Sequence, residues 1–478
     1  MSVIFDAPVQ ASDFRGRRVT IVGLGSGRTA AGLAQFLVAN GARVTISDAK
    51  PRELLASGIA RLGELPVELV LGPSSDDAAL ADPDYAFVIP GLRPRSATIL
   101  RARQRGIPVL TEIGLFFRLC PAEIVGITGT KGKSTTTTLV GRILERGRRR
   151  VVVGGNIGLS VIQELPTLTR DDIVVLELSS FQLETLAMSP HVAVVTNVLE
   201  DHLDFHGTRE AYVAAKSSIV RWQGPRDVAV LNLDDPSTVA LHTAAASELR
   251  GYSLSLRPRR GAYLDGESLV LVSADRREVI CAAGELRVPG RHNVSNVLAA
   301  AIVGDLYGIP VTDIREVVTS FEGLPHRLEL VAERAGVWWV NDSQGTTPYA
   351  TIPAIEAYTR PPVVILGGVV KGAEFAALGR AVAGRARAAI LIGQAADEIG
   401  AAIDAAKRAD PTSSVRVERA ASLADAVARA RALAQPGDVV LLSPACATGA
   451  GVEGRDDEFR SYQERGDRFR ELVLAMPE

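Results

Sequence analysis

A chain of 478 residues has room for roughly three domains of ordinary size, and 47% apolar with 23% charged residues is the balance of a globular protein in water. The 53 basic and 55 acidic side chains leave no net field to draw in nucleic acid or an anionic membrane. Cys120, Cys281 and Cys446 are too few and too scattered for a disulfide frame or a thiolate zinc site. The first residues lack a charged-then-apolar leader and no apolar run is long enough to span a bilayer, so the expected location is the cytoplasm.

The first α/β unit is expected over residues 1–111. Arg18-Val-Thr-Ile-Val22 has the pattern of a buried strand, and Gly23-Leu-Gly25-Ser26-Gly27-Arg28 follows as a tight turn. A helix over about residues 29–40, closed by Gly41, leads to a second strand, Arg43-Val-Thr-Ile-Ser47, and then Asp48. This is the layout of a Rossmann half, with an acid after the second strand where a ribose would be bound. Arg28 stands where the dinucleotide fingerprint needs its third glycine, so the turn points to another nucleotide or to no ligand before it points to NAD. The Pro90-Gly91 turn after strand Tyr85-Ala-Phe-Val-Ile89 is placed to complete the same crevice.

The second unit, expected over 112–323, holds the most specific motif, Ile124-Val-Gly-Ile-Thr-Gly-Thr-Lys-Gly-Lys-Ser-Thr135. An apolar strand runs into a glycine-rich turn and a helix, which aims the N–H groups of Gly129, Thr130, Lys131 and Gly132 into one concavity able to hold phosphate oxygens. Lys133 would reach the β/γ-phosphates, and the hydroxyl of Ser134 or Thr135 would bind Mg²⁺. Ile127 stands where the strict pattern has glycine, so this is a variant P-loop built on Gly126, Gly129 and Gly132. Core strands read as Ile173–Leu178, Val192–Asn197 and Val228–Leu233. Polar groups cluster past their carboxyl ends: Glu177, Ser179 and Ser180, then Asn197, Asp201 and His202, then Asp234 and Asp235. Glu177 is expected beside the P-loop strand, where a carboxylate serves a metal or caps a helix. His202 suits a metal or a core equally on spacing alone, and Lys216 reads as a solvated helix lysine. Short alternating runs between about Tyr252 and Val288 suggest a small β-rich insert, followed by a helix from about His292 to Tyr307 carrying Asn293 and Asn296.

The third unit, expected over 324–478, alternates strands Val337–Val340, Val363–Leu366, Ala388–Ile392 and Val439–Leu442 with alanine-rich helices, another parallel-sheet pattern. Its strand ends carry Asn341-Asp342-Ser343, then Gly367-Gly368 leading to Lys371, and Ser443-Pro444-Ala445. The fold class expected is therefore α/β in three domains. A Rossmann-like domain comes first, then a central P-loop ATPase-type domain with a parallel sheet and a β-rich insert, then a C-terminal Rossmann-like domain.

The run Thr128-Gly-Thr-Lys-Gly-Lys-Ser-Thr135, with Gly154-Gly-Asn156-Ile-Gly158, Leu176-Glu-Leu-Ser-Ser-Phe-Gln-Leu-Glu184 and Glu200-Asp-His-Leu-Asp204, resembles the Mur ligases. Gly290-Arg-His-Asn293, Leu324-Pro-His-Arg327, Asn341-Asp-Ser343 and Ser443-Pro-Ala-Cys-Ala447 narrow the resemblance to members that join D-glutamate to UDP-MurNAc-L-Ala. It runs through nearly the whole chain in the same order. It implies an ATP-dependent amide ligase of peptidoglycan precursor synthesis, acting on small molecules as a cytoplasmic monomer with no nucleic acid or membrane partner.

Position by position, the resemblance implies that Ser26, Gly27, Asp48 and Gly91 hold the UDP part of the acceptor, with Asn156, Ser179 and His202 nearer its muramoyl end. ATP would lie on the loop from Gly129 to Thr135 and against Asn296, Arg327 and Asp342. Ser134 and Glu177 would bind one Mg²⁺, and His202 with a carbamylated Lys216 a second. Lys133, Glu177, His202 and Lys216 would be the catalytic set, and Thr346, Lys371, Ser443 and Phe459 would receive the amino acid. A carbamate turns a cation into an anionic oxygen ligand suited to Mg²⁺.

Two departures stand out. Gln344 occupies the place of a usual lysine and brings no charge, and residues 448–458 hold extra glycines and acids, read as a solvated loop or a gating segment. The identity and handedness of the added amino acid are the open points, with an L-glutamate-adding variant as the alternative. A folate-type ligase would not need the first unit. A dehydrogenase would leave the P-loop unexplained, and a P-loop switch would not need the loops at Asp342, Lys371 and Ser443.

Overall fold

The computed structural model describes residues 8–477 apart from 26, 158–159, 200–202, 243–244, 274–275, 289, 370–373 and 450–457, and leaves the side chains of residues 57, 203, 204 and 349 undescribed. Three sheets account for its strands. The first comprises β1 (Arg18–Val22), β2 (Arg43–Asp48), β3 (Val67–Leu71), β4 (Tyr85–Val88) and β5 (Val109–Thr111), all parallel in the order β3-β2-β1-β4-β5. The chain works outward from β1 to β3 and returns to β4 on the other side, so the crevice falls between the loops after β1 and β4.

The central sheet comprises β6 (Glu123–Thr128), β7 (Val151–Gly155), β8 (Ile173–Glu177), β9 (Val192–Val195), β10 (Val228–Asn232), β11 (Glu248–Ser253), β12 (Gly261–Asp265), β13 (Ser268–Val272) and β14 (Arg277–Ala282), in the order β14-β13-β12-β11-β10-β9-β6-β8-β7. The β-rich segment after Tyr252 extends this sheet: β12 pairs parallel with β11, and β13 and β14 add an antiparallel meander. Its local pattern disclosed strands but not the edge they would join. Here β6 lies between β8 and β9, so the loops bearing Glu177 and Asn197 flank the P-loop. Val174, Val175 and Leu176 are fully buried, which is why this strand reads as a continuous apolar run.

The third sheet comprises β15 (Glu329–Arg334), β16 (Val337–Asn341), β17 (Val363–Gly367), β18 (Ala388–Ile392), β19 (Arg416–Arg419) and β20 (Val439–Leu442), ordered β15-β16-β20-β17-β18-β19 and parallel except for the β15–β16 pair. The direction of winding reverses between β17 and β20. By contacts the chain divides into two compact units. One runs to Leu286 and includes Arg291–Ser320; the other is Arg287–Gly290 with Phe321 onward. The first two sheets share the first unit. Among the described residues no helix is long and apolar enough to cross a membrane.

Candidate active site

The P-loop leaves β6 at Thr128 and enters a helix at Lys133 that runs to Leu144. Gly129 (φ 153°) and Gly132 (φ 83°) adopt backbone angles that favour glycine, and a side chain at either would collide, with Thr196 Oγ1 and Asn296 Oδ1 respectively. Gly126 serves packing instead. It lies inside β6, where a Cβ would come within 2.7 Å of Pro190, so the turn itself rests on two glycines. The loop is pinned from β9, since Thr130 N donates to Asn197 O at 2.9 Å and Lys131 N to Asn197 Oδ1 at 2.9 Å. Lys133 Nζ folds over the turn, donating to Gly129 O at 2.9 Å and Thr130 O at 3.0 Å. Asn296, buried, backs Gly132 and donates to Asn293 Oδ1 at 3.3 Å.

Glu177 ends β8 beside the loop and is 2% exposed. Its carboxylate accepts from Ser134 Oγ at 2.6 Å and from Asn156 Nδ2 at 2.7 Å, so three predicted site residues meet there. Thr135, the alternative hydroxyl, is buried in the helix. Ser179 caps the short helix Ser180–Leu183 in a capping box with Gln182; its hydroxyl serves this turn.

Lys216 is not the solvated residue its helix position suggested. It is 1% exposed, and its Nζ donates to Gly129 O at 2.9 Å and Thr128 Oγ1 at 3.4 Å, with the Tyr212 ring 4.9 Å away. The Tyr212 hydroxyl bonds Thr130 Oγ1 at 2.9 Å. Tyr212 was absent from the expected set, although its place one helical turn before Lys216 signals a shared face. His202 and Ser26 lie outside the described residues.

In the first domain, Asp48 Oδ2 accepts from Leu24 N and Gly25 N, each at 3.0 Å, and Oδ1 from Lys50 N at 3.0 Å. Burial pushes this carboxyl up, but the N–H donors of Gly25, Lys50 and Leu24 and the Lys50 charge outweigh it and hold it below the usual carboxylate value. Asp48 thus fastens the turn after β1. Gly27 (φ 81°) approaches Gly58, where a Cβ would lie 2.6 Å from its Cα. Gly91 lines a cleft with Pro90, Thr111, Glu112, Phe181 and Gln182. Arg28, the residue that spoils the fingerprint, donates from Nη2 to Asn156 O at 3.2 Å and so links this domain to the Glu177 cluster.

In the second unit, Asp342 follows β16 and is buried. Its Oδ2 accepts from Ser443 Oγ at 2.6 Å and its Oδ1 from Leu328 N at 3.2 Å. Burial pushes its carboxyl up to about 6, against the Ser443 hydroxyl, the Leu328 N–H and the Arg327 charge. Arg327 Nε donates to Gln344 Oε1 at 3.0 Å from a strained segment in which His326 (φ 63°) and Leu328 (φ 44°) are both left-handed. Thr346 is half-buried on the same turn, and its N–H bonds Gln344 O at 2.8 Å. Phe459 is packed into the core with Val337, Trp339 and Leu423. Lys371 and most of the extra segment lie outside the described residues.

Among the described residues no three His, Cys, Asp or Glu side chains gather as a metal site. Ser134 and Glu177, two hard oxygen donors beside a phosphate cradle, match the small protein share that Mg²⁺ takes when a nucleotide supplies the rest.

Fold and site together define a three-domain α/β protein with a P-loop whose neighbouring strand supplies a carboxylate. Family models for the Mur ligase MurD-like N-terminal domain, the Mur ligase middle domain and the Mur ligase glutamate ligase domain match residues 17–111, 127–304 and 326–446. A protein of Symbiobacterium thermophilum named UDP-N-acetylmuramoylalanine–D-glutamate ligase is 42% identical over 96% of this chain and 98% of its own. One of the same name from Pelotomaculum thermopropionicum is 39% identical over 97% and 99%. The chain belongs to the Mur ligase family. The solved UDP-N-acetylmuramate-alanine ligase of Thermotoga maritima shares the fold, with a TM-score of 0.57 and 20% identity over 96% of this chain and 99% of that one.

Proposed function

We propose that this protein is an ATP-dependent ligase that joins D-glutamate to UDP-N-acetylmuramoyl-L-alanine. The observation that carries the reading is the Ser134–Glu177–Asn156 cluster beside the P-loop, in a chain whose relatives of 42% and 39% identity bear that activity in their names. The division of labour follows the three sheets: residues 1–111 take the UDP part, 112–323 the ATP, and 324–478 the amino acid.

The alanyl carboxylate of the acceptor attacks the γ-phosphorus of ATP, the bond to the β–γ bridging oxygen breaks, and ADP leaves an acyl phosphate. The glutamate amine then attacks the acyl carbon, loses a proton, and expels phosphate as the amide forms. Both steps concentrate negative charge on oxygen. The Lys133 ammonium neutralises it together with the loop N–H groups other than those of Thr130 and Lys131, which are spent on Asn197, and fixed donors of this kind need no rearrangement as the charge develops. Asn156 holds Glu177 in place, and Arg28 holds the Asn156 backbone.

Ser134 and Glu177 would hold one Mg²⁺, and His202 with carbamylated Lys216 a second; these ions would add positive charge at the transferring phosphoryl group. Burial of Lys216 against the loop supports a role there beyond solvation. Incubation with ¹³C-bicarbonate tests the carbamate independently of turnover: a carbamate resonance is expected, and should vanish in Lys216→Ala. Phosphate release on mixing ATP, UDP-MurNAc-L-Ala and D-glutamate tests the reaction. Release with L-glutamate in its place would move the reading to the L-glutamate variant, and release with neither would end it.

A further inference from the structure

The helix Tyr462–Leu474 carries a charge that the reaction above does not use. Arg465 is 1% exposed, buried in its first turn. A guanidinium so far from water is costly unless its donors are occupied. Its Nε donates to Ser343 Oγ at 3.0 Å, its Nη2 to Ser343 O at 3.0 Å, and both Nη groups reach Cys446 O at 3.4 Å. The Ser343 hydroxyl spends its single proton on Tyr462 O at 2.8 Å, which leaves its lone pair for Arg465.

The two segments so gripped are the turns after β16 and β20. Ser343 lies between Asp342 and Gln344, and Cys446 follows Ala445, a non-glycine residue at φ 59°. That conformation is strained and persists only when its neighbours fix it. Ala445 N donates to Gly345 O at 2.8 Å, and Arg465 secures the next carbonyl. Gly368, after β17, completes the enclosure: a Cβ there would lie 3.3 Å from Arg465 Nη1. Arg465 therefore underlies the switch point between β17 and β20, where an open parallel sheet receives its ligand.

We propose that Arg465 is a positioning residue for amino-acid addition, holding the Ser343 and Cys446 turns in register so that the groups receiving the incoming carboxylate stay aligned. The inference rests on the ligase reading. Steady-state kinetics of the full chain test it through Arg465→Lys, which keeps the charge but loses the fork, and Ser343→Ala, which removes one acceptor. Arg465→Lys should raise the KM for D-glutamate about tenfold and Ser343→Ala about threefold, with the KM for UDP-MurNAc-L-Ala within about twofold of wild type. Should Arg465→Lys fail to fold by tryptophan fluorescence, Ser343→Ala decides alone. An unchanged glutamate KM in a folded variant, or an equal rise in both KM values, overturns the inference while the ligase reading stands. Inactivity of the wild type overturns the reading itself.

Discussion

Asp342→Asn should make the C-terminal unit more stable at neutral pH, and the gain should disappear in acid. Asp342 is buried and its carboxyl is pushed from 3.8 up to about 6 by that burial, which the Ser443 and Leu328 hydrogen bonds and the Arg327 charge only partly offset. The folded value exceeds the unfolded one, so the folded state binds the extra proton. The stability this group lends is complete below about 3.8 and is lost as pH rises through about 6. The difference corresponds to about 3 kcal/mol. Asparagine copies the shape of the protonated acid and does not titrate. The variant should therefore exceed wild type by about 3 kcal/mol at pH 7.5 and match it near pH 4. Urea unfolding followed by tryptophan fluorescence measures this, because Trp338 and Trp339 both lie in the C-terminal unit. A gap that stays constant with pH, or a wild type that is the more stable at pH 7.5, would refute the reasoning.

Lys133→Ala should lower ATP-dependent phosphate release by about a thousandfold, since it removes the cation folded over the cradle; activity within a few-fold of wild type rules out the P-loop assignment. Gly132→Ala forces a Cβ onto Asn296 Oδ1 at a left-handed position, so ATP binding by calorimetry should weaken by roughly 1–3 kcal/mol, and an unchanged affinity contradicts that close packing. Gln344→Lys replaces the acceptor of the 3.0 Å bond from Arg327 with a second cation. The KM for D-glutamate should rise about tenfold, equivalent to about 1.4 kcal/mol; a fall would show that residue 344 itself wants the charge.

Much of the fold could be read from local pattern because the central parallel strands are covered on both faces, which writes runs such as Ile173–Leu176 into the chain. The turn after β6 was equally readable, since two glycines and Lys133 follow one another there. What lay out of reach depends on distant partners. Gly126 looks like a loop glycine until Pro190 is seen against it, and Lys216 looks like a surface lysine until its helix is laid along the loop. Phe459 packs into the core beside Trp339, which its isolated place in the sequence does not announce. Arg465 sits in a helix in which six of 13 residues are charged, and only the meeting of two turns more than 100 residues apart, at Ser343 and Cys446, gives it a purpose.

The fastening of Asp48 bears on selectivity. In a dinucleotide site the corresponding acid is kept open to grip a pair of sugar hydroxyls; here both oxygens are engaged by main-chain amides two to 24 residues away. Three of the roughly four lone-pair sites of the carboxylate are thereby occupied, and freeing them for a sugar would loosen the turn. The side chain that would grip a sugar in such a site is here committed to holding the turn itself.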